Sequence, residues 1–170
     1  MLETIYNRRS TKKYLDKEVE KDLIDKVVKA GTLAPTGRNL QSPIIIAITN
    51  KEVRDKLAKI NAGIMGVDTD PFYGAPVVLV VLAKKDNRTA IYDGSCVMEN
   101  MLLAAESLGL GACWIHRAKE EFETEYGLSL LKELGIEEEY VGVGNLILGY
   151  KAEYQRAEKK LKDNWVYYID

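Results

Sequence analysis

Two stretches of this chain combine residue types that can do chemistry at short range. Arg8-Arg9-Ser10-Thr11-Lys12-Lys13 sets four cations around two hydroxyls, and those cations repel one another unless solvent or an anion relieves them. An arginine fork matches phosphate oxygens, a serine adds a compact donor, and a lysine one or two residues away adds a point charge. A phosphate site is one reading; a solvated basic turn is the other. Ala34-Pro35-Thr36-Gly37-Arg38-Asn39-Leu40-Gln41-Ser42-Pro43 is dense in residues that break regular structure and offer backbone N–H groups or small polar donors. Loops of that composition contact ligands in some proteins and merely turn in others. His116 is the sole histidine, at the end of an extended run, either a substrate contact or a polar residue with no catalytic duty. Cys96 and Cys113 lack a C-x-x-C spacing or a histidine cluster, so no metal site is expected and both read as buried free thiols.

The elements that must position these residues are legible from periodicity. Residues 93–115 form the organising stretch, with Val97, Met101, Ala104, Ala105 and Leu108 at helical spacing and Met98, Leu102 and Leu103 widening the stripe. Asp93 or Ser95 is placed to cap the helix, Gly109 to stop it, and residues 112–115 to leave as a short strand. A helix this apolar must be covered on nearly every side, by an ordinary core or by a second subunit. A short helix is expected at the N-terminus, an amphipathic one over 18–31, and another over 52–61. The continuous apolar runs 44–48 and 77–83 read as strands buried on both faces. Residues 62–76 are poorly patterned and read as a mobile lid. Two short helices over 119–126 and 128–134, the second capped by Gly135, precede a strand over 140–148 where Gly142 and Gly144 allow another backbone to approach. The apolar run 165–169 needs a sheet edge to pair with.

Composition narrows the class. With 170 residues and no internal repeat or composition break, one domain is expected. A net charge of −2 gives no broad cationic field, which argues against nucleic acid or an anionic membrane as principal partner. No apolar segment lasts ~18 residues and residues 1–10 lack a signal core, so a cytoplasmic protein is expected.

Taken in order, these segments resemble the nitroreductase family of FMN-dependent oxidoreductases in its short form, over nearly the whole chain. Arg8-Arg9-Ser10-Thr11-Lys12 resembles the family's N-terminal phosphate motif, residues 34–41 its second flavin loop, and residues 93–115 its central dimer helix and following strand. The resemblance implies an α+β, three-layer fold spanning residues 1–170 as a single FMN-binding domain, with a central mixed, mainly antiparallel sheet flanked by helices, in an intertwined homodimer. It implies that Arg8 and Ser10 hold the FMN phosphate with Arg9 beside them, and that Lys12 sits near the pyrimidine edge. Pro35, Thr36, Gly37 and Asn39 would reach the flavin of the other subunit. Backbone N–H groups of Trp114, Ile115, His116 and Arg117 would face the ring, and Lys159 or Lys160 would reach the phosphate.

The implied activity is NAD(P)H oxidation, with NADH or NADPH as donor and a nitroaromatic, quinone or related small molecule as acceptor. Hydride would pass through flavin N5 in ping-pong fashion, with no protein nucleophile and Lys12 as electrostatic support. The alternatives are an FMN-binding or sensing protein without turnover and a specialised reductase, for example a dehalogenating one, of the same superfamily. Two departures bear on substrate. Gln41-Ser42-Pro43-Ile44 lacks the aromatic of the family's Gln-Pro-Trp, and the short 62–76 stretch replaces a long helical insertion.

Overall fold

The computed structural model describes residues 1–153 and 159–169. In chain order the elements are α1 (Leu2–Asn7), α2 (Lys21–Thr32), a single 3-10 turn (Gly37–Asn39), β1 (Pro43–Ile48), α3 (Lys51–Met65) and β2 (Val77–Lys84). They continue with α4 (Ala90–Ser107), β3 (Leu110–Ile115), α5 (Ala118–Phe122), α6 (Glu125–Glu133) and β4 (Tyr140–Tyr150). The strands form one sheet in the order β1-β2-β4-β3 with every neighbouring pair antiparallel. The fold is therefore α+β, and among the described residues the parallel contact is a lone bridge between Ser10 and Ala112.

Period-two alternation along β2 divides the core into two layers. Val77, Leu79, Val81 and Ala83 pack with Val27 of α2 and Met98 and Met101 of α4 on one face. Val78, Val80 and Leu82 pack with Leu57 of α3, Phe72 and Phe122 of α5 on the other. The sheet is thus sandwiched between helices, as three layers. Val81 faces Gly144 and Leu82 faces Gly142, so Val143 is the extra residue of a bulge in β4. At Gly142 a Cβ would collide with the backbone of Ala118 and Lys119, so α5 lies hard against the strand. Gly144 accommodates the indole of Trp114 instead of the backbone expected there.

Several expectations are corrected by the packing. The central helix starts at Ala90, with Thr89 preceding it, so neither Asp93 nor Ser95 caps it. Its apolar surface is only partly covered within this chain: Ile91 and Tyr92 stay 49% and 73% exposed, and Cys96 is exposed while Cys113 is buried. β1 lies at the sheet edge, so residues 43–46 are half-buried and Ala47 is exposed, where a strand covered on both faces was expected. Residues 165–169 pair with no strand among the described residues and are exposed.

The 62–76 stretch is not a loose lid. α3 runs on to Met65 and ends at Gly66, whose φ of 75° suits a left-handed stop. Phe72 and Ala75 are fully buried. The Arg54 guanidinium, itself buried, donates to Asp70 Oδ2 (2.5 Å) and to the Ala75 carbonyl (3.0 Å). Asp70 also accepts from the backbone N–H groups of Phe72 and Gly74, both at 2.8 Å. Among the described residues no helix is long and apolar enough to cross a membrane.

Candidate functional site

The basic N-terminal segment is an extended strip laid along the sheet, not a solvated turn. Thr11 N–H donates to the Ala112 carbonyl (3.0 Å), Leu15 N–H to that of Tyr150 (2.9 Å), and Ala152 N–H to that of Lys13 (3.1 Å). Thr11, within the strip, is fully buried. That anchorage fixes where the flanking side chains go. Arg9 donates to the carbonyls of Tyr6 (2.7 Å) and Arg8 (2.8 Å), which commits it to the C-terminal end of α1. Arg8 approaches Glu99 of α4 loosely, at 3.9 Å. Ser10 and Lys12 turn to a cavity of 370 Å³ closed by Trp114, Ile115, His116 and Arg117 at the end of β3 and by Met65, Asp70 and Tyr73.

Within that cavity Lys12 lies over the Tyr73 ring, 5.6 Å from its centroid. Burial pushes the Cys113 thiol up from its ordinary range, while a hydrogen bond from Ser10 and the charges of Lys12 and Arg8 pull it back. The field at the end of β3 is therefore positive, above an apolar and aromatic lining. Asp70 is already engaged by Arg54.

Behind the cavity wall lies a polar network that sequence periodicity did not reveal. Asn61 of α3 and Glu121 of α5 are fully buried, as is Asn145 of β4. Asn61 Nδ2 donates to the His116 carbonyl (2.9 Å) and to Glu121 Oε1, and its Oδ1 accepts from Arg117 Nε (2.9 Å). Asn145 Nδ2 donates to Glu121 Oε2 (2.8 Å), and among the described residues the buried Asn145 Oδ1 has no partner. Burial pushes the Glu121 carboxyl up from 4.5 to about 7; the two amide donors and the Arg117 charge oppose the rise, and Glu120 adds to it. The available signal was polar residues inside otherwise apolar patterns, which cannot reveal partners so distant in sequence.

The second loop lies elsewhere in the chain. Gly37 N–H donates to Asp93 Oδ1 (3.0 Å), and Asp93 Oδ2 accepts from Asn87 (3.0 Å) and Thr89 (2.9 Å), so a buried carboxylate ties the loop to the start of α4. Arg38 and Asn39 are held at φ 53° and 54°. Gly37 lines a separate cavity of 500 Å³ with Lys84 and Arg88, and neither it nor Pro35, Thr36 or Asn39 borders the one at Ser10. Lys159 and Lys160 are exposed and border neither. One chain thus assembles Ser10, Lys12 and residues 114–117, with Arg8 alongside, but not the remaining candidates.

Known proteins resemble this chain in sequence and in fold. The family model described as "Nitroreductase family" matches residues 5–71 and 66–150. A Methanothermobacter thermautotrophicus protein carrying the name NADH dehydrogenase/NAD(P)H nitroreductase is 32% identical over 158 residues, covering 90% of this chain and 78% of its own. A Bacteroides fragilis nitroreductase crystallised with bound FMN superposes with a TM-score of 0.91 at 28% identity, covering 99% of this chain and 98% of that one. An FMN-dependent nitroreductase of Clostridium difficile gives a TM-score of 0.82 at 29% identity, over 100% and 99% of the two chains. The chain belongs to the nitroreductase family.

Proposed function

We propose that this protein is an FMN-dependent NAD(P)H oxidoreductase that reduces small nitroaromatic, quinone or related acceptors. The observation that carries the reading is the convergence of Ser10, Lys12 and residues 114–117 on one cavity with Arg8 beside it. That donor set fits FMN: apolar and aromatic walls suit a planar ring, and the cations suit a phosphate and an electron-rich pyrimidine edge. When bound, FMN would supply the redox chemistry, hydride transfer between a nicotinamide donor and the small-molecule acceptor.

The chain's own work is binding, orientation and electrostatics. Arg8 and Ser10 hold the phosphate, and Lys159 or Lys160 supplements them. Lys12 places a fixed positive charge where negative charge grows on reduction, a preorganised stabilisation that costs no reorganisation at that moment. Backbone N–H groups of residues 114–117 orient the ring edge.

Pro35, Thr36, Gly37 and Asn39 act on the flavin of a second copy. A homodimer is favoured by the apolar surface left open on α1 and α4, including Leu2, Tyr6, Ile91 and Tyr92, and by the exposed 165–169 run. Covering all of it calls for an interface above about 2,000 Å². The whole chain then serves as one FMN-binding domain, working in the cytoplasm.

The visible spectrum of purified protein before and after anaerobic NADH or NADPH tests the proposal. A flavin spectrum that bleaches and returns on adding menadione is expected. Bound flavin that neither nucleotide reduces would favour a binding or sensing role, and protein that cannot retain FMN would defeat the reading.

A further inference from the structure

Arg117 occupies a backbone position that suits glycine. Its φ of 79° and ψ of 11° lie in the left-handed region, where a Cβ crowds the chain, yet the residue there carries a long cationic side chain. That side chain is held from two sides: Nε donates to Asn61 Oδ1 at 2.9 Å and Nη2 lies 3.3 Å from Met65 Sδ.

The tether has only one sense. Both donor positions of Asn61 Nδ2 are used, on the His116 carbonyl and on Glu121. Turning the amide over would set its oxygen against those two oxygens, so Oδ1 is compelled to face Arg117. With Asn61 and Glu121 both fully buried, the core itself aims the guanidinium.

Its direction matters because of the cavity it borders. Lys12, His116 and Arg117 line the cavity with a single carboxylate, Asp70, and that carboxylate accepts from Arg54 and two backbone N–H groups. Among the described residues Arg117 makes no ion pair, although its charge is felt by the buried Glu121 behind the wall. Met65, Tyr73 and Trp114 supply apolar and aromatic surface in the same space. A cavity that offers aromatic surface beside a tethered guanidinium is complementary to an aromatic ring bearing an anionic group, because an oriented fork binds such oxygens in defined geometry.

We propose that Arg117 determines acceptor specificity, selecting aromatic acceptors that carry a carboxylate or sulfonate over their neutral isosteres. The proposal rests on the oxidoreductase function above, with the acceptor meeting the flavin in this cavity. It concerns binding and adds no chemical step.

The test uses oxidised, FMN-loaded protein with 4-nitrobenzoate and 4-nitrobenzamide, which match in shape and differ in charge. Binding is followed by the change in flavin absorbance and independently by calorimetry. Wild type should favour the carboxylate by about tenfold or more, the scale of one charge-assisted hydrogen bond. Arg117→Gly, which suits the left-handed backbone, should fold and erase the preference, while Arg117→Lys should keep part of it. Equal affinity for the two probes in wild type, or an unchanged preference in Arg117→Gly, overturns the assignment of Arg117 alone. Absence of flavin in the same samples, after reconstitution, overturns the cofactor reading and this one with it.

Discussion

Replacing Glu121 by Gln should stabilise the protein above neutral pH and leave it unchanged in acid. Glu121 is fully buried, and among the described residues the side chains that donate to its two carboxylate oxygens are Asn61 and Asn145. Burial lifts its carboxyl from 4.5 to about 7. Below the lower value the group is neutral in both the folded and unfolded states. As pH rises from there the unfolded chain releases its proton while the folded chain keeps it, so stability falls across the window and levels off once pH passes about 7. The full displacement corresponds to roughly 3 kcal/mol. Glutamine imitates the protonated acid. Its oxygen accepts from Asn61, and its amide donates to Asn145 Oδ1 once that side chain turns over, with Nδ2 then taking the place that Oδ1 now holds. Urea unfolding of both proteins at one fixed concentration reads the difference. Between about pH 5.5 and about pH 8.5 the advantage of Glu121→Gln should widen by about 2 kcal/mol. Parallel profiles, or a variant less stable than wild type at the alkaline end, would refute the account of Glu121 as a buried acid.

Three further outcomes follow from the packing and the site. Gly142→Ala forces a methyl into the Ala118 backbone and should cost at least about 2 kcal/mol; an unchanged urea midpoint would contradict the contact. Asp70→Ala strips the buried Arg54 of a carboxylate and should cost about 3 kcal/mol, with faster cleavage in residues 66–76 under limited proteolysis; wild-type cleavage rates would mean that the ion pair does not pin the segment. Lys12→Met should lower the midpoint potential of bound FMN while sparing oxidised FMN affinity, and equal potentials in anaerobic titrations would remove Lys12 from the electrostatic role.

Much of the layer structure could be read from the sequence, because the unbroken apolar run over 77–83 and the helical stripe over 97–108 are local records that both faces of the strand and one side of the helix are buried. The helix over 18–31 and the two short helices after His116 appear close to where they were expected. What misled was the meaning of an apolar run. Residues 44–48 are as apolar as a central strand, but edge position is decided by partners that sequence does not name. The 62–76 stretch looked patternless because its order comes from Arg54, which lies 16 residues before Asp70 in the chain. At the site, the N-terminal cluster could be found because its residue types are concentrated in six positions. The Asn61–Glu121–Asn145 network could not, since its members are dispersed over three elements. Asp93 was visible, yet as a cap; its bond to Gly37 spans 56 positions and has no local signature.

The strip from Ser10 to Leu15 also sets the order in which the cavity can come into being. Its hydrogen bonds run to Ala112, Tyr150 and Ala152, so these residues wait for partners made much later in the chain. Until β4 has emerged, β3 lacks the strand that holds it in the sheet, so the wall of residues 114–117 that Ser10 and Lys12 face is unsupported and the edges of β3 stay uncovered. Such long-range closure slows folding and extends the interval in which a bare edge can meet another chain. A ligand held between that strip and β3 would bind only the finished chain, and by doing so would draw the last closing step toward completion.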